Sequence, residues 1–173
     1  MSNNHEQSIL VVDDDMLVRK VLKKYISSLG YYVDTAEDGR GALDMLGSFS
    51  YDLVLTDLQM PRLGGIELLK KMFLEYPDIP KIVLTGQGTN DDIIAALKSG
   101  AYDFLYKPID DFEILEFSIK RAVESKKLKE DKERHVAEIE KIKQQGPEQK
   151  DLDKVKKSLL EKLSPQKIAA GRQ

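Results

Sequence analysis

Residues 8–17 read SILVVDDDML, and the junction inside that stretch decides the fold. Ile9, Leu10, Val11 and Val12 form a continuous β-favouring apolar run, the composition of a parallel strand covered on both faces. They pass without a break into Asp13, Asp14 and Asp15. Adjacent carboxylates repel one another and, brought against further acids, resist full ionisation. Open parallel sheets gather ligands at the carboxyl ends of their strands. The acidic end of this strand is therefore a candidate site.

Working outward, further strand-like runs are Tyr32–Ala36, Leu53–Thr56, Ile82–Thr85 and Tyr102–Tyr106. Helical periods lie between them. Val18, Val21, Leu22, Tyr25 and Leu29 recur at three and four residues, and Gly30 stops the pattern. Ala42, Leu43 and Leu46 predict a second helix. Ile66, Leu69 and Phe73 predict a third, ending before Pro77, and Ile93, Ile94 and Leu97 a fourth, ending at Gly100. Asp110 with Glu113 is expected to cap a fifth. The stripe Phe112, Leu115, Ile119 and Ala122 would dock that helix on the sheet. The βαβαβαβαβα order predicts an α/β domain, with one five-stranded, doubly wound parallel sheet and helices on both faces.

Charge and aromatic content divide the 173-residue chain. Residues 1–117 carry 11 Lys/Arg against 20 Asp/Glu, whereas residues 118–173 carry 16 against 10, and all 12 aromatic residues lie at or before Phe117. A segment so charged and without aromatics builds no core easily. The expected division is a globular body at 1–123 and a charged helical tail at 124–173, a weak coiled coil or a linker to an effector. Beyond Val123 the apolar stripe thins to Leu128, Val136, Ile139 and Ile142, with no breaker before Gly146-Pro147. A helix over 111–145 would reach roughly 50 Å at about 1.5 Å per residue. A second amphipathic piece has Leu152, Val155, Leu159 and Leu163. Interspersed acids and the lack of aromatics argue against nucleic-acid binding by this tail. His5 sits in a polar stretch. His135 reads as a solvated helix position rather than a relay phosphohistidine, since no apolar bundle pattern surrounds it.

Composition removes several classes of function. With no cysteine there is no disulfide framework and no thiolate metal site. MSNNHEQS lacks a basic region followed by an apolar stretch, and no apolar run approaches the ~20 residues of a membrane span. A cytoplasmic protein is expected. The first strand–helix turn has no glycine cradle, so a dinucleotide or flavin phosphate would meet three carboxylates. A calcium loop starting at Asp13 fails, with Val18 where glycine is needed and Lys24 where glutamate is needed.

Asp57 ends the third strand-like run in DLVLTDLQMP. If the first and third strands are neighbours, Asp13, Asp14 and Asp57 converge. A divalent cation would remove their conflict, and Mg²⁺ suits carboxylates, a backbone carbonyl, waters and a substrate phosphate. Thr85 ends the fourth run and Lys107 the fifth. A hydroxyl there can donate to phosphoryl oxygens, an ammonium can neutralise them, and a carboxylate can act as nucleophile.

At these motifs the chain resembles the receiver domain of two-component response regulators, chemotaxis-regulator-like. The resemblance covers about residues 7–123, through ILVVDDD, AEDGRGAL, YDLVLTDLQMPRLGGIELL, PKIVLTGQG and GAYDFLYKPI in that order. It implies a flavodoxin-like sheet of order 2-1-3-4-5. It implies that Asp57 is the phosphoacceptor, and that Asp13, Asp14, Asp57 and the backbone carbonyl of Gln59 hold Mg²⁺, with Mn²⁺ as a substitute. It implies that Thr85 and Lys107 serve the phosphoryl group, and that Thr85 and Phe104 turn inward together as the switch. Gly86 would leave phosphoryl access open, and the Lys107–Pro108 bond is often cis in the family. The implied partner is a sensor histidine kinase, with homodimerisation through the fourth-helix, fifth-strand, fifth-helix face or through the tail. The implied protein is a phosphoacceptor, not an enzyme acting on other substrates. Two other readings stay open. One is a metal-dependent phosphatase with an aspartyl nucleophile, although Gln59 stands where such an enzyme wants an acid/base carboxylate. The other is a receiver-shaped scaffold that works without phosphorylation.

Overall fold

The computed structural model describes residues 7–86, 89–144 and 153–158. Ten elements alternate along it: β1 (Ser8–Val12), α1 (Met16–Ser28), β2 (Tyr32–Ala36), α2 (Gly39–Ser48), β3 (Leu53–Thr56), α3 (Gly65–Glu75), β4 (Lys81–Thr85), α4 (Asn90–Lys98), β5 (Asp103–Tyr106) and α5 (Phe112–Gln144). The strands form one parallel sheet in the order β2-β1-β3-β4-β5.

Alternation within the strands separates two cores. Ile9, Val11, Leu53, Leu55, Ile82 and Leu84 face Leu22 and Ile26 of α1 and Leu115, Ile119 and Ala122 of α5. Leu10, Val12 and Val54 face the other way, with Ala42 and Leu46 of α2 and Leu68 and Met72 of α3. Val83 completes that side with Leu58, Leu69 of α3 and Ala96 of α4. With β1 and β3 covered on both faces, their continuous aliphatic runs are explained: each side chain removed from water contributes about 1.5–3 kcal/mol. A charge at Leu55, which is fully buried, would therefore break the sheet.

The helices bury narrower stripes than the sequence periods predict. Val21, Phe73, Ile94 and Leu97 are about half exposed, because α1 turns only Leu22 and Ile26 fully inward and the nine-residue α4 only Ala96. Gly30 and Gly100 follow the ends of α1 and α4 with φ of 93° and 79°, a conformation that costs glycine little. At the start of α5 it is Asp111 rather than Asp110 whose side chain accepts from Glu113 N, at 2.9 Å.

The chain divides into two compact units, residues 1–128 and 129–173. The first extends past the docking stripe because Lys126 Nζ reaches Asp52 Oδ1 at 2.8 Å and the Tyr51 carbonyl at 3.1 Å, both at the start of β3. In the second unit, residues 129–144 and 153–158 are helical. Ile139, Ile142 and Val155 are half-buried there around a cavity of about 330 Å³ that His135 also lines. His5, Gly146-Pro147, Leu152, Leu159 and Leu163 lie outside the described residues. Among the described residues no helix is long and apolar enough to cross a membrane.

Candidate metal and phosphoryl site

Register brings the acids together. Val12 is level with Thr56 across the β1–β3 pair, so the next residues, Asp13 and Asp57, leave adjacent strands at the same level. Asp57 N donates to the Val12 carbonyl at 2.9 Å, and Asp13 N to the Ala36 carbonyl at 3.1 Å. Oxygens of Asp13, Asp14 and Asp57 lie within 4.8 Å of one another; the first and third residues are buried and Asp14 is exposed.

The third aspartate of the run has a different task. Asp15 is the N-cap of α1, its Oδ1 accepting from Leu17 N at 2.7 Å and Val18 N at 3.4 Å. Such a cap contributes about 1 kcal/mol. It frees Asp13 and Asp14 from capping. Arg19, one turn into α1, ties the loop from within: its Nη1 donates to the carbonyls of Asp13 at 2.6 Å and Asp14 at 3.0 Å. Sequence reasoning missed Arg19, since a cation one turn into a helix looks like ordinary surface.

Lys107 arrives from the far side. Its backbone N donates to the Thr85 carbonyl at 3.0 Å, which fixes the residue against the end of β4. Its Nζ donates to Asp13 Oδ2 and Asp57 Oδ2, each at 2.6 Å. Asp57 Oδ1 accepts from Leu58 N at 2.6 Å and Gln59 N at 3.2 Å. Burial pushes the Asp13 carboxyl above its ordinary range, although the hydrogen bonds from Lys107 and Asp15 pull the other way. For Lys107, burial works against the charged form, but hydrogen bonds to Asp13 and Asp57 outweigh it and hold the ammonium above its usual value.

The remaining predicted residues stand on the neighbouring strands. Thr85 is fully buried at the end of β4, level with Tyr106. Phe104 is level with Val83 and half-buried beside the α3–α4 cluster, its ring 5.2 Å from that of the exposed Tyr106 in an edge contact. A Cβ on Gly86 would meet Lys107 only at ordinary contact distance, 3.8 Å. The Lys107–Pro108 bond is cis. Structure thus gathers Asp13, Asp14, Asp57 and Lys107 at one point, with Gln59 joined to it through its amide.

The donor set fits a hard divalent cation. It offers oxygen alone: three carboxylates lie together, and the Lys107 ammonium pairs with two of them, Asp13 and Asp57. Asp13, whose carboxyl burial penalises, is the group a cation would relieve most.

A five-stranded parallel sheet of order 2-1-3-4-5 wound on both faces by helices, with an acidic cluster and a lysine at its strand ends, defines a flavodoxin-like α/β domain. The profile of the response regulator receiver domain matches residues 9–118, and the chain belongs to that family, which serves two-component systems. Response regulator MprA of Mycolicibacterium vanbaalenii is 43% identical over 107 residues, 62% of this chain and 46% of the relative. The chain thus matches less than half the length of that curated relative. Among solved structures, a CheY-like receiver domain protein from Methanospirillum hungatei superposes with a TM-score of 0.68 at 28% identity, over 71% of this chain and 98% of the other. The beryllofluoride-activated NtrC4 receiver domain dimer gives 0.65 at 33% identity, over 69% and 98%.

Proposed function

We propose that Asp57 accepts a phosphoryl group from the phosphohistidine of a sensor kinase and that the modified domain signals to a partner or effector. The observation that carries this reading is the single ammonium of Lys107 lying 2.6 Å from both Asp13 and Asp57. Asp57 Oδ1 is occupied by two amides, so Oδ2 is the attacking oxygen. Its lone pair forms the new P–O bond while the P–N bond to the kinase imidazole breaks, the electron pair leaving on the ring nitrogen. Lys107 passes from the carboxylate to a phosphoryl oxygen, and the Thr85 hydroxyl donates to another. Asp13, Asp14, Asp57 and the Gln59 carbonyl would hold Mg²⁺ (or Mn²⁺), which when bound would neutralise charge on the transferring group.

Thr85 and Phe104 form the switch: capture of the hydroxyl by the phosphoryl group leaves room for the aromatic ring to turn inward, biasing two states of the α4-β5-α5 face. That face exposes Leu97, Tyr106 and Phe117, which supports its use in partner contact or homodimerisation. The kinase docks beside the pocket, on an apolar cavity of about 430 Å³ lined by Leu17, Val21, Ile109 and Phe112 and reaching Lys107. The receiver expected at residues 1–123 occupies the compact unit that runs to Leu128, and the charged tail beyond it links it to an effector or a second copy. Its role is that of a phosphoacceptor; it turns over no separate substrate.

Beryllofluoride binding tests the reading. With Mg²⁺ present, titration is expected to shift the amide resonances of Thr85, Phe104 and Lys107 in the unmodified chain and to leave Asp57→Asn unchanged. Equal binding by Asp57→Asn would overturn it.

A further inference from the structure

The loop from Asp57 to Gly65 carries both the acceptor and Gln59, and two closures hold it. The inner one is steric: Gly65 N donates to the Leu58 carbonyl at 2.9 Å, and a Cβ at Gly65 would lie 2.0 Å from the Asp57 carbonyl oxygen. The outer one joins the loop to the start of α2. Gly39 N donates to the Leu63 carbonyl at 3.0 Å, and a Cβ at Gly39 would sit 2.7 Å from that same oxygen. Next to this contact stands Arg62, the one non-glycine residue with positive φ, at 64°, among the described residues. A bulky side chain in the left-handed region is held there by its surroundings.

The surroundings are two carboxylates. Arg62 Nη2 pairs with Glu37 and Nε with Asp38. Asp38 is buried; its Oδ1 accepts from Gly41 N at 2.8 Å as the N-cap of α2, while Oδ2 takes no hydrogen bond and faces Arg62 as an ion pair. The Arg62 side chain is itself about 60% exposed, but removing its guanidinium would leave the buried Asp38 carboxylate uncompensated. Asp38 is itself fixed by α2, so the guanidinium ties the acceptor loop to a rigid element. Nothing in the motif LQMPRLGG singles out Arg62, because its partners lie 25 and 24 residues earlier, on another loop.

We infer that Arg62 is a positioning residue for the metal site: its bridge to Glu37 and Asp38 holds the β3–α3 loop closed, so that the Gln59 carbonyl and the Asp57 carboxylate are preset for a divalent cation. This rests on the proposed function, which supplies the cation. Residues that orient metal ligands from outside the coordination shell typically contribute 10–100-fold to affinity.

The test uses Arg62→Gly, which removes the guanidinium and relaxes the left-handed backbone, so the fold is kept. Two measurements are made on the full chain: hydrogen exchange of the Gly39 amide without metal, and Mg²⁺ affinity by calorimetry. Expected are faster exchange at Gly39, with α1 amides unchanged, and Mg²⁺ binding weakened by about tenfold. Arg62→Lys, a point charge able to serve one carboxylate, falls between. Asp38→Asn keeps the cap, and its combination with Arg62→Gly weakens binding no further than the worse single change. Mg²⁺ affinity in Arg62→Gly within about twofold of the unmodified chain, whatever its melting temperature, overturns the inference. Failure of the unmodified chain to bind Mg²⁺ through Asp13 overturns the function itself and the inference with it.

Discussion

Lys107 Nζ lies 2.6 Å from Asp57 Oδ2, although 50 residues separate the two in sequence. The same nitrogen is 2.6 Å from Asp13, so one cation holds together two acids that the sheet forces into contact. Lys107→Met leaves that pair uncompensated in a largely buried pocket. Loss of one member of such a network is expected to lower metal-free stability by about 3 kcal/mol in urea denaturation. Mg²⁺ should restore more stability to the variant than to the unmodified chain, since no ammonium competes for the oxygens. Unchanged stability without metal would contradict the role given to Lys107.

The Asp13 carboxyl sets a pH dependence. Burial raises its pKa in the folded protein above the ordinary 3.8. A carboxyl raised in this way contributes stability that is complete below the unfolded value and is lost as pH rises through the folded one. Metal-free protein should therefore lose stability over that window, and Asp13→Asn should flatten the loss. Mg²⁺ binding needs the ionised form and should weaken as pH falls into the same window. Chemical denaturation and calorimetry between about pH 4 and pH 7 check both; parallel curves for the two proteins would count against the assignment.

Lys126 extends the folded body beyond the apolar stripe of α5. Its ammonium is largely covered and bonds Asp52, whose other oxygen accepts from Ser8 N at 2.9 Å. A chain ending after Leu128 should be more stable than one ending after Val123, by about 1 kcal/mol. Lys126→Met in the longer chain should remove most of that difference. Thermal melts of the three proteins decide it.

Gly65 allows the close return of the acceptor loop. A methyl group there meets the Asp57 carbonyl oxygen at 2.0 Å and Leu58 Cα at 2.7 Å, and both are backbone atoms that cannot swing aside. Gly65→Ala is expected to cost about 3 kcal/mol and to displace Asp57. Gly47→Ala, where no atom lies within 4 Å, serves as a control and should leave stability unchanged or raised. Comparable melts for the two variants would refute the steric account.

Much of this was legible because strand and site share residues. The run Ile9–Val12 suits a strand covered on both faces in a parallel sheet, and the acids at its end fit a site where strand ends meet. Asp57, Thr85 and Lys107 each close a β-favouring run, so chain order alone placed them at one edge. The helix faces were less legible. Ile94 and Leu97 follow the helical period yet stay about half exposed, since a short helix on a twisted sheet buries a narrow stripe. Arg19, Asp38 and Arg62 escaped notice for a different reason: charged residues at loop edges resemble solvated surface until the loops they join are seen side by side.

Acetyl phosphate offers the most direct trial. The chain is incubated with it and Mg²⁺, and the mass of the intact protein and of its peptides is measured. The expected result is one added phosphoryl group, located on Asp57, dependent on Mg²⁺ and missing from Asp57→Asn. Equal labelling of Asp57→Asn, or labelling indifferent to chelation of the metal, would contradict phosphorylation at the meeting point of Asp13, Asp57 and Lys107.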